Sequence, residues 1–198
     1  MTDNFALLNE PRRPWLDPEA LKIKFLALAS DLHPDRVHNA SEEEKLQATK
    51  RYSELNAAYN CLLEPKSRLL HLLELESGAK PKDIQHIPPA LADLFAEVAN
   101  NCRKADAFLV EKSKVASPLL QVQWFERAQE WIGQLNLLQK KLSALHEQLA
   151  SQLKSTDANW ATSARTDLLA QLEELYRLFS YFNRWSSQLQ ERVVRLSF

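Results

Sequence analysis

The segment His33-Pro34-Asp35 places an imidazole and a carboxylate two residues apart, with a proline between them. The imidazole can donate or accept a hydrogen bond or bind a metal, and the carboxylate accepts hydrogen bonds. In most proteins such a pair is a loop histidine followed by an aspartate that caps a helix. A metal site completed by His38 is a further interpretation, but the segment offers neither a fourth ligand nor outer-shell partners. We therefore expect no metal here.

Two helical patterns flank this segment. Upstream, Asp17-Pro18 is a typical helix start, and apolar residues then recur at helical spacing. Pro34 disfavours helical backbone in the residue before it and lacks an N–H donor, so this helix must end before His33. Downstream, Ser41-Glu42-Glu43-Glu44 has the pattern of a capping box and opens a second apolar stripe. The sequence predicts an antiparallel helical hairpin with His33, Pro34 and Asp35 at its tip. The two stripes are Leu21, Phe25, Leu28, Leu32 and Leu46, Tyr52, Leu55, Ala58, Tyr59, Leu62.

This hairpin resembles the J-domain, the module that stimulates ATP hydrolysis by DnaK-type heat-shock chaperones. The His-Pro-Asp motif of that family is present without substitution, and a short first helix is predicted at Phe5-Ala6-Leu7-Leu8. Residues Leu55–Tyr59 and Leu62–Pro65 are similar to the closing pattern of the family, with Arg68 at its arginine and His71 at its tyrosine. The motif gains its weight from this context. The resemblance covers residues 1 to about 77.

The resemblance implies how the motif acts. In J-domains the aspartate accepts hydrogen bonds from an arginine of the partner ATPase, the histidine shapes the contact, and nearby cations speed the encounter with an acidic surface. The implied chaperone contacts are His33, Pro34, Asp35, Lys22, Lys24 and Arg36. This chain departs from the family at Leu26, Ala27 and Asp31, where many relatives carry lysine, arginine or glutamine. We therefore expect a weaker electrostatic contribution.

The composition predicts an all-α protein. The chain has 198 residues, a net charge of −1 and two glycines, so turn residues for strands and hairpins are scarce. No strong field favours nucleic acid or a membrane as a partner. Cys61 and Cys102 form no Cys-x-x-Cys pair, which argues against a zinc insert and favours a reducing compartment. No apolar run reaches membrane-spanning length, and the first helix follows Met1-Thr2-Asp3 at once, so we expect a cytoplasmic chain without a leader peptide.

The sequence carries no enzyme signature. It contains no glycine-rich phosphate loop, no His-Glu-x-x-His motif and no nucleophile elbow. We therefore expect no catalytic activity and no cofactor.

A second domain is predicted after a linker. Proline and glycine interrupt the helical pattern at 78–89, and residues 90–198 resume it in three periodic segments. The second segment begins after Ser117-Pro118 and the third after Thr156-Asp157. Apolar residues recur every 3.5 positions on average, which is typical of helices that pack along a coiled-coil-like seam. Short connections make sequential helices antiparallel, so one short and two long helices should form a three-helix bundle.

A J-domain followed by such a bundle is similar to the HscB family. These co-chaperones deliver the iron–sulfur cluster scaffold protein to a specialised DnaK-type chaperone, HscA. Three segments resemble the patterns of the family, namely Asn4–Asp17, Arg68–Leu73 and Arg177–Glu191. The resemblance implies a chaperone and a scaffold protein as partners. The alternative is a J-domain adaptor that recruits a DnaK-type chaperone to a different client or assembly.

The HscB family binds its scaffold through the first bundle helix and one aromatic residue of the last. The nearest match here is Leu94–Ala99, in which Phe95 replaces a methionine and Ala99 replaces a glutamate. The implied client-binding residues are Leu94, Phe95, Val98 and Leu178, the last standing where the family has its aromatic residue. The alternative is that these side chains belong to the bundle core. Two tryptophans beside the seam, Trp160 and Trp185, are expected to be packed rather than exposed.

Overall fold

The regular structure of the chain is helical. A computed structural model describes residues 2–37, 39–81, 87–115, 117–160 and 165–198, and no strand occurs within those ranges. The α-helices are α1 (Asn4–Leu7), α2 (Pro18–Asp31), α3 (Glu42–Leu63), α4 (Pro65–Ser77), α5 (Ala92–Lys112), α6 (Pro118–Ala158) and α7 (Arg165–Ser197). Within the same ranges, short 3-10 helices lie at Pro34–Val37 and Pro89–Leu91. The prediction of an all-α protein is confirmed.

The helices belong to two compact units. The first unit comprises Met1–Lys82 and Ser151–Arg177, and the second comprises Asp83–Ala150 and Leu178–Phe198. The end of α6 and the start of α7 therefore belong with the N-terminal helices, a grouping that the apolar periodicity of the C-terminal half does not reveal. The division into a J-domain at 1–77, a linker at 78–89 and a bundle at 90–198 remains a prediction.

Local capping explains where the helices of the first unit begin. The Asp17 carboxylate accepts the backbone N–H groups of Glu19 and Ala20 at 2.9 and 3.1 Å, which satisfies two of the donors left open at the start of α2. Ser41 and Glu44 form the predicted capping box at the start of α3. Helix α4 ends at Ser77, and its capping residue Gly78 has a φ of 73°, which is accessible to glycine without strain. The sequence signals for these helix ends are confirmed.

The core of the first unit includes buried polar side chains, among them Arg68 and His71. The Arg68 guanidinium donates to the carbonyl of Pro14 at 2.8 Å and to that of Leu62, and burial lowers the pKa of Arg68 to about 10. His71 Nε2 accepts the backbone N–H of Asn4 at 3.0 Å, and burial lowers the pKa of His71. Both side chains thus form hydrogen bonds with the backbone, which offsets the cost of burying them. Apolar side chains enclose them, among which Phe5, Leu8, Leu21, Leu55, Leu62, Leu69 and Leu72 are almost fully buried.

A buried carboxylate attaches the end of α6 to the loop between α1 and α2. The side chain of Asp157 is only 4% exposed. It accepts the Arg13 Nε–H at 3.0 Å, a second guanidinium N–H of Arg13, and the backbone N–H of Trp15 at 3.2 Å. Close by, the Trp160 indole N–H donates to the carbonyl of Arg12 at 2.8 Å, and Lys154 Nζ lies 4.8 Å from the Trp15 ring centroid. Helix α6 ends one residue after Asp157, at Ala158, and α7 begins at Arg165, so the prediction that the third periodic segment begins after Thr156-Asp157 is confirmed.

The second unit packs parts of α5, α6 and α7 around an apolar core, to which Val98, Ala105, Ala128, Leu135, Leu142, Trp185 and Leu189 contribute. Polar contacts border this core. Arg192 pairs with Asp106 at 2.6 Å and donates to the carbonyl of Cys102 at 3.3 Å, and Lys141 pairs with Glu97 at 2.6 Å. Trp185, like Trp160 of the first unit, is buried. The prediction that both tryptophans are packing residues is confirmed.

Candidate functional site

The His33-Pro34-Asp35 segment lies where α2 ends. The last helical residue is Asp31, and the N–H of the capping residue Leu32 donates to the carbonyl of Leu28 at 3.0 Å. The chain then turns through the 3-10 helix Pro34–Val37, in which the Arg36 N–H donates to the carbonyl of His33 at 3.0 Å. Pro34 supplies no backbone donor, which is why α2 stops and a tighter turn follows. The predicted interruption before Pro34 is confirmed.

His33 is held from two sides. Its Nδ1 accepts the backbone N–H of Asp35 at 3.3 Å and lies 3.5 Å from the Asp35 carboxylate. Its ring meets the Tyr52 ring edge-on, with centroids 5.3 Å apart, so α3 supports the loop through an aromatic pair. With Nδ1 as the acceptor, a neutral imidazole carries its proton on Nε2. The loop therefore presents a partly fixed imidazole beside a carboxylate whose side chain is 90% exposed.

The three predicted cations are placed differently. Arg36 Nη2 lies 3.4 Å from the Ser30 hydroxyl and 3.7 Å from the Asp31 carboxylate, so it accompanies the loop. Lys24 pairs with Glu10 at 2.6 Å and donates to the carbonyl of Asn9 at 3.1 Å, which occupies its charge within the unit. Lys22 is exposed on α2. The structure thus brings Arg36 to the motif and engages Lys24 elsewhere.

A shallow cleft of about 310 Å³ opens beside the loop. Its lining includes two cationic side chains, Arg36 and Arg51, and two carboxylates, Asp31 and Glu44. The Glu44 carboxylate already accepts hydrogen bonds from Ser41. Because positive and negative groups are matched in number, the cleft does not have the excess of positive charge that a phosphate site needs.

The predicted client-binding residues divide between the core and the edge of the second unit. Val98 is 1% exposed and belongs to the core, whereas Leu94 and Leu178 are partly buried and pack against that core. Phe95 is 41% exposed, and its ring centroid lies 6.1 Å from that of the buried Trp185. Phe95 is therefore the one of these four side chains that offers a large area to a partner.

Comparison with known proteins gives a match in structure. No family model matches the sequence. The solved structure of the chaperone HscB from Vibrio cholerae aligns over 100% of both chains with a TM-score of 0.62 and 21% sequence identity. Human co-chaperone HscB aligns over 98% of this chain and 81% of its own, with a TM-score of 0.60 and 20% identity. The chain has the HscB fold.

The HscB fold was predicted from the resemblance of the chain to J-domain and HscB patterns, and local signals at Asp17, Pro34 and Ser41 marked both ends of α2 and the start of α3. The polar contacts around Asp157 gave no such signal, since Arg13 and Asp157 are 144 positions apart. Leu26 and Ala27, where many J-domains carry lysine, arginine or glutamine, are both exposed on α2.

The described residues contain no group of three or more His, Cys, Asp or Glu side chains able to hold a metal ion. His38, the third member of the metal interpretation, lies outside the described residues. Within the same part of the chain, no helix has the length and apolar character required to cross a membrane.

Proposed function

We propose that this chain is a J-domain co-chaperone that stimulates the ATPase of a DnaK/HscA-type chaperone through His33, Pro34 and Asp35. One observation carries the proposal: an unsubstituted His-Pro-Asp motif follows the end of α2, with the His33 and Asp35 side chains exposed, in a chain with the HscB fold. The chain itself would catalyse no reaction and would act in the cytoplasm.

The loop geometry suggests how the contact works. The Asp35 side chain is 90% exposed. An ionised carboxylate only accepts hydrogen bonds, so Asp35 is suited to bind the guanidinium of an arginine. His33 is restrained by the Asp35 N–H and by Tyr52, which reduces the ordering cost of binding. A partner whose two states differ in how they hold that arginine would be shifted toward one state, since a ligand shifts an equilibrium by its differential affinity.

Client binding is proposed at the edge of the second unit. Leu94, Phe95 and Leu178 would provide the contact surface, and Val98 would support it from the core. The iron–sulfur cluster scaffold protein is the client that the HscB resemblance implies. A different client is the second candidate, because Ala99 and Leu178 replace the glutamate and the aromatic residue of the family pattern. Binding of a purified scaffold protein to the wild type and to Phe95→Asp would distinguish the two candidates.

The chaperone assignment is tested by single-turnover ATP hydrolysis of purified DnaK-type and HscA-type chaperones with and without this chain. We expect stimulation by the wild type and its loss with Asp35→Asn, which removes the negative charge while keeping the shape. His33→Gln should also abolish it. Circular dichroism should show unchanged helicity for both variants. Full stimulation by His33→Gln or Asp35→Asn would disprove the proposal, and a loss of helicity in Asp35→Asn would reduce that residue to a structural cap.

A further inference from the structure

Large apolar side chains lie exposed at one end of the second unit. They are between 45% and 94% exposed, although neighbouring side chains of the same helices form the core. Single exposed apolar residues are common on protein surfaces, whereas a contiguous group marks a binding surface. We refer to five of these residues as the end patch: Val110 on α5, Val122 and Phe125 on α6, Val194 on α7, and Phe198 directly after α7.

Three helix ends meet at the end patch. The rings of Phe108 and Trp124 lie 5.0 Å apart, which brings the end of α5 beside the start of α6. Lys112, the last residue of α5, donates through Nζ to the carbonyl of Leu196 at 3.5 Å, which brings the end of α7 to the same place. The five residues of the end patch therefore lie at one end of the packed helices.

Helix α7 does not reach the first turns of α6. Gln139 Nε2 donates to Gln190 Oε1 at 2.9 Å, and the ring of His146 lies 4.6 Å from that of Phe182, so the two helices run antiparallel in one register. Gln190 lies seven residues before the end of α7. In the same register α7 ends opposite the residue seven before Gln139, which is also seven after Phe125. The segment of α6 that carries Phe125 therefore extends beyond α7.

The exposed side chains of α5 and α6 face the space that α7 leaves open. Phe125 precedes Gln139 by 14 residues, about four helical turns, so both lie on the side of α6 towards α7. Val122 shares that side because it lies three residues before Phe125. On α5, Val110 follows Asp106 by four residues, and Asp106 pairs with an arginine of α7. Val110, Val122 and Phe125 thus line a groove at the position where a third helix would pack.

The area of the end patch fits a small dimer interface. Its exposed side chains offer on the order of 500 Å² of apolar surface. That area lies at the upper limit for the largest apolar patch of a typical monomer, about 300–600 Å². A standard interface buries about 800 Å² on each partner, so the end patch would supply most of it.

The end patch is also complementary to itself. It combines the groove with two apolar side chains beside it, Val194 and Phe198, and in a two-fold symmetric contact each copy presents the same surface to the other. Lys114 and Glu126, of opposite charge, are both exposed near the groove in sequence. The net charge of the chain is only −1, so two copies would repel each other weakly.

We propose that two copies of this chain form a two-fold symmetric dimer through the end patch, in which Val194 and Phe198 of each copy enter the groove of the other. The proposal goes beyond the proposed function and does not depend on it. Phe95 lies 15 residues before Val110 on α5, about 22 Å along the helix. The proposed client-binding residues therefore stay accessible, and a dimer would hold two clients.

The test measures the molar mass of the full chain by sedimentation equilibrium from about 1 to 200 μM at about 150 mM KCl. We expect a monomer–dimer equilibrium with a Kd of about 10 μM, as suits a small interface. Phe125→Glu, in the groove, and Phe198→Glu, beside it, should each raise the Kd about tenfold or more, since a charge enters an apolar contact. Circular dichroism should show unchanged helicity, because both side chains are exposed.

A matched control uses another exposed phenylalanine of the second unit. Phe95 is 41% exposed at the other end of α5. Phe95→Glu should leave the Kd of the dimer unchanged, and loss of the dimer in this variant would place the contact outside the end patch and overturn the proposal.

Other outcomes also overturn the proposal. A wild type that is monomeric up to about 200 μM has no such dimer. A dimer that survives Phe125→Glu or Phe198→Glu does not use the mutual contact. A mass that rises beyond two chains means an open, head-to-tail association rather than a closed two-fold contact. A chain that dimerises as expected but stimulates no chaperone disproves the proposed function and supports the dimer.

Discussion

Two aspartates of the same unit have opposite environments. Asp35, in the turn after α2, has a side chain that is 90% exposed, and Asp157, in the last turn of α6, has one that is 4% exposed. Asp157 accepts hydrogen bonds from the Arg13 guanidinium and the Trp15 N–H, so its charge is compensated inside the fold. The Asp35 carboxylate faces solvent beside His33. Burial and internal donors give Asp157 a structural role, whereas exposure leaves Asp35 accessible to a partner.

The largest expected effect comes from removing the buried carboxylate. Asp157→Ala leaves the Trp15 N–H and the Arg13 guanidinium without their acceptor, which should lower the free energy of unfolding by about 2 to 3 kcal/mol. The value is at the low end for a buried ion pair because Arg13 is 43% exposed and can regain water. Urea denaturation followed by circular dichroism measures it. Asp35→Ala is the control and should leave the urea midpoint unchanged.

A double-mutant cycle sharpens this comparison. Arg13→Ala and Asp157→Ala should be strongly non-additive, because either change alone removes the same contact. Additive effects would mean that Asp157 acts mainly through the Trp15 N–H. In each single variant, backbone amides of the first unit should lose protection from hydrogen exchange, because both residues belong to that unit. Loss of protection confined to the second unit would contradict a local role for the pair.

Sequence patterns predicted the helix ends near the exposed aspartate better than the surroundings of the buried one. Pro34, Asp17 and the Ser41–Glu44 box act on backbone within a few residues, so their effects are visible in a short window of sequence. The pair Arg13 and Asp157 depends on tertiary packing across 144 positions. The start of the last helix after Thr156-Asp157 was predicted from the sequence, whereas the partners of the buried Asp157 carboxylate were not.

The predicted client-binding residues on α5 also show that tertiary packing cannot be predicted from sequence patterns alone. Periodicity on α5 marks which residues are apolar, but it does not show which of them the other helices cover. Val98 lies in the core and Phe95 at the surface, three residues apart on the same helix. Helical spacing alone would place both on one face. Only the packing of α6 and α7 against α5 distinguishes them.

A smaller effect on the free energy of unfolding is expected when the pH is lowered. Burial lowers the pKa of His71, and its neutral Nε2 accepts the Asn4 N–H. The unfolded chain then binds the proton before the folded chain does, so the stability from this group is complete above the ordinary pKa of 6.5 and declines as the pH falls below it. The free energy of unfolding should therefore fall more steeply between pH 7 and 5 for the wild type than for His71→Gln. His33→Gln controls for the loss of an imidazole, and equal slopes for wild type and His71→Gln would contradict the prediction.

The smallest expected effect concerns how firmly the His33 ring is held beside Asp35. Tyr52→Leu removes the ring that meets His33 edge-on, an interaction worth about 0.5–1.5 kcal/mol, so ATPase stimulation should fall about threefold to tenfold without being lost. Tyr52→Phe keeps the ring and should restore stimulation. Tyr59→Leu is a matched control on the same helix, because Tyr59 stacks on Phe25 at 4.1 Å rather than on the loop. It should lower stability and leave stimulation by the folded protein unchanged.

A Tyr52→Leu variant that folds but stimulates nothing would mean that Tyr52 contacts the chaperone directly. One that stimulates like the wild type would mean that the Asp35 N–H alone positions His33.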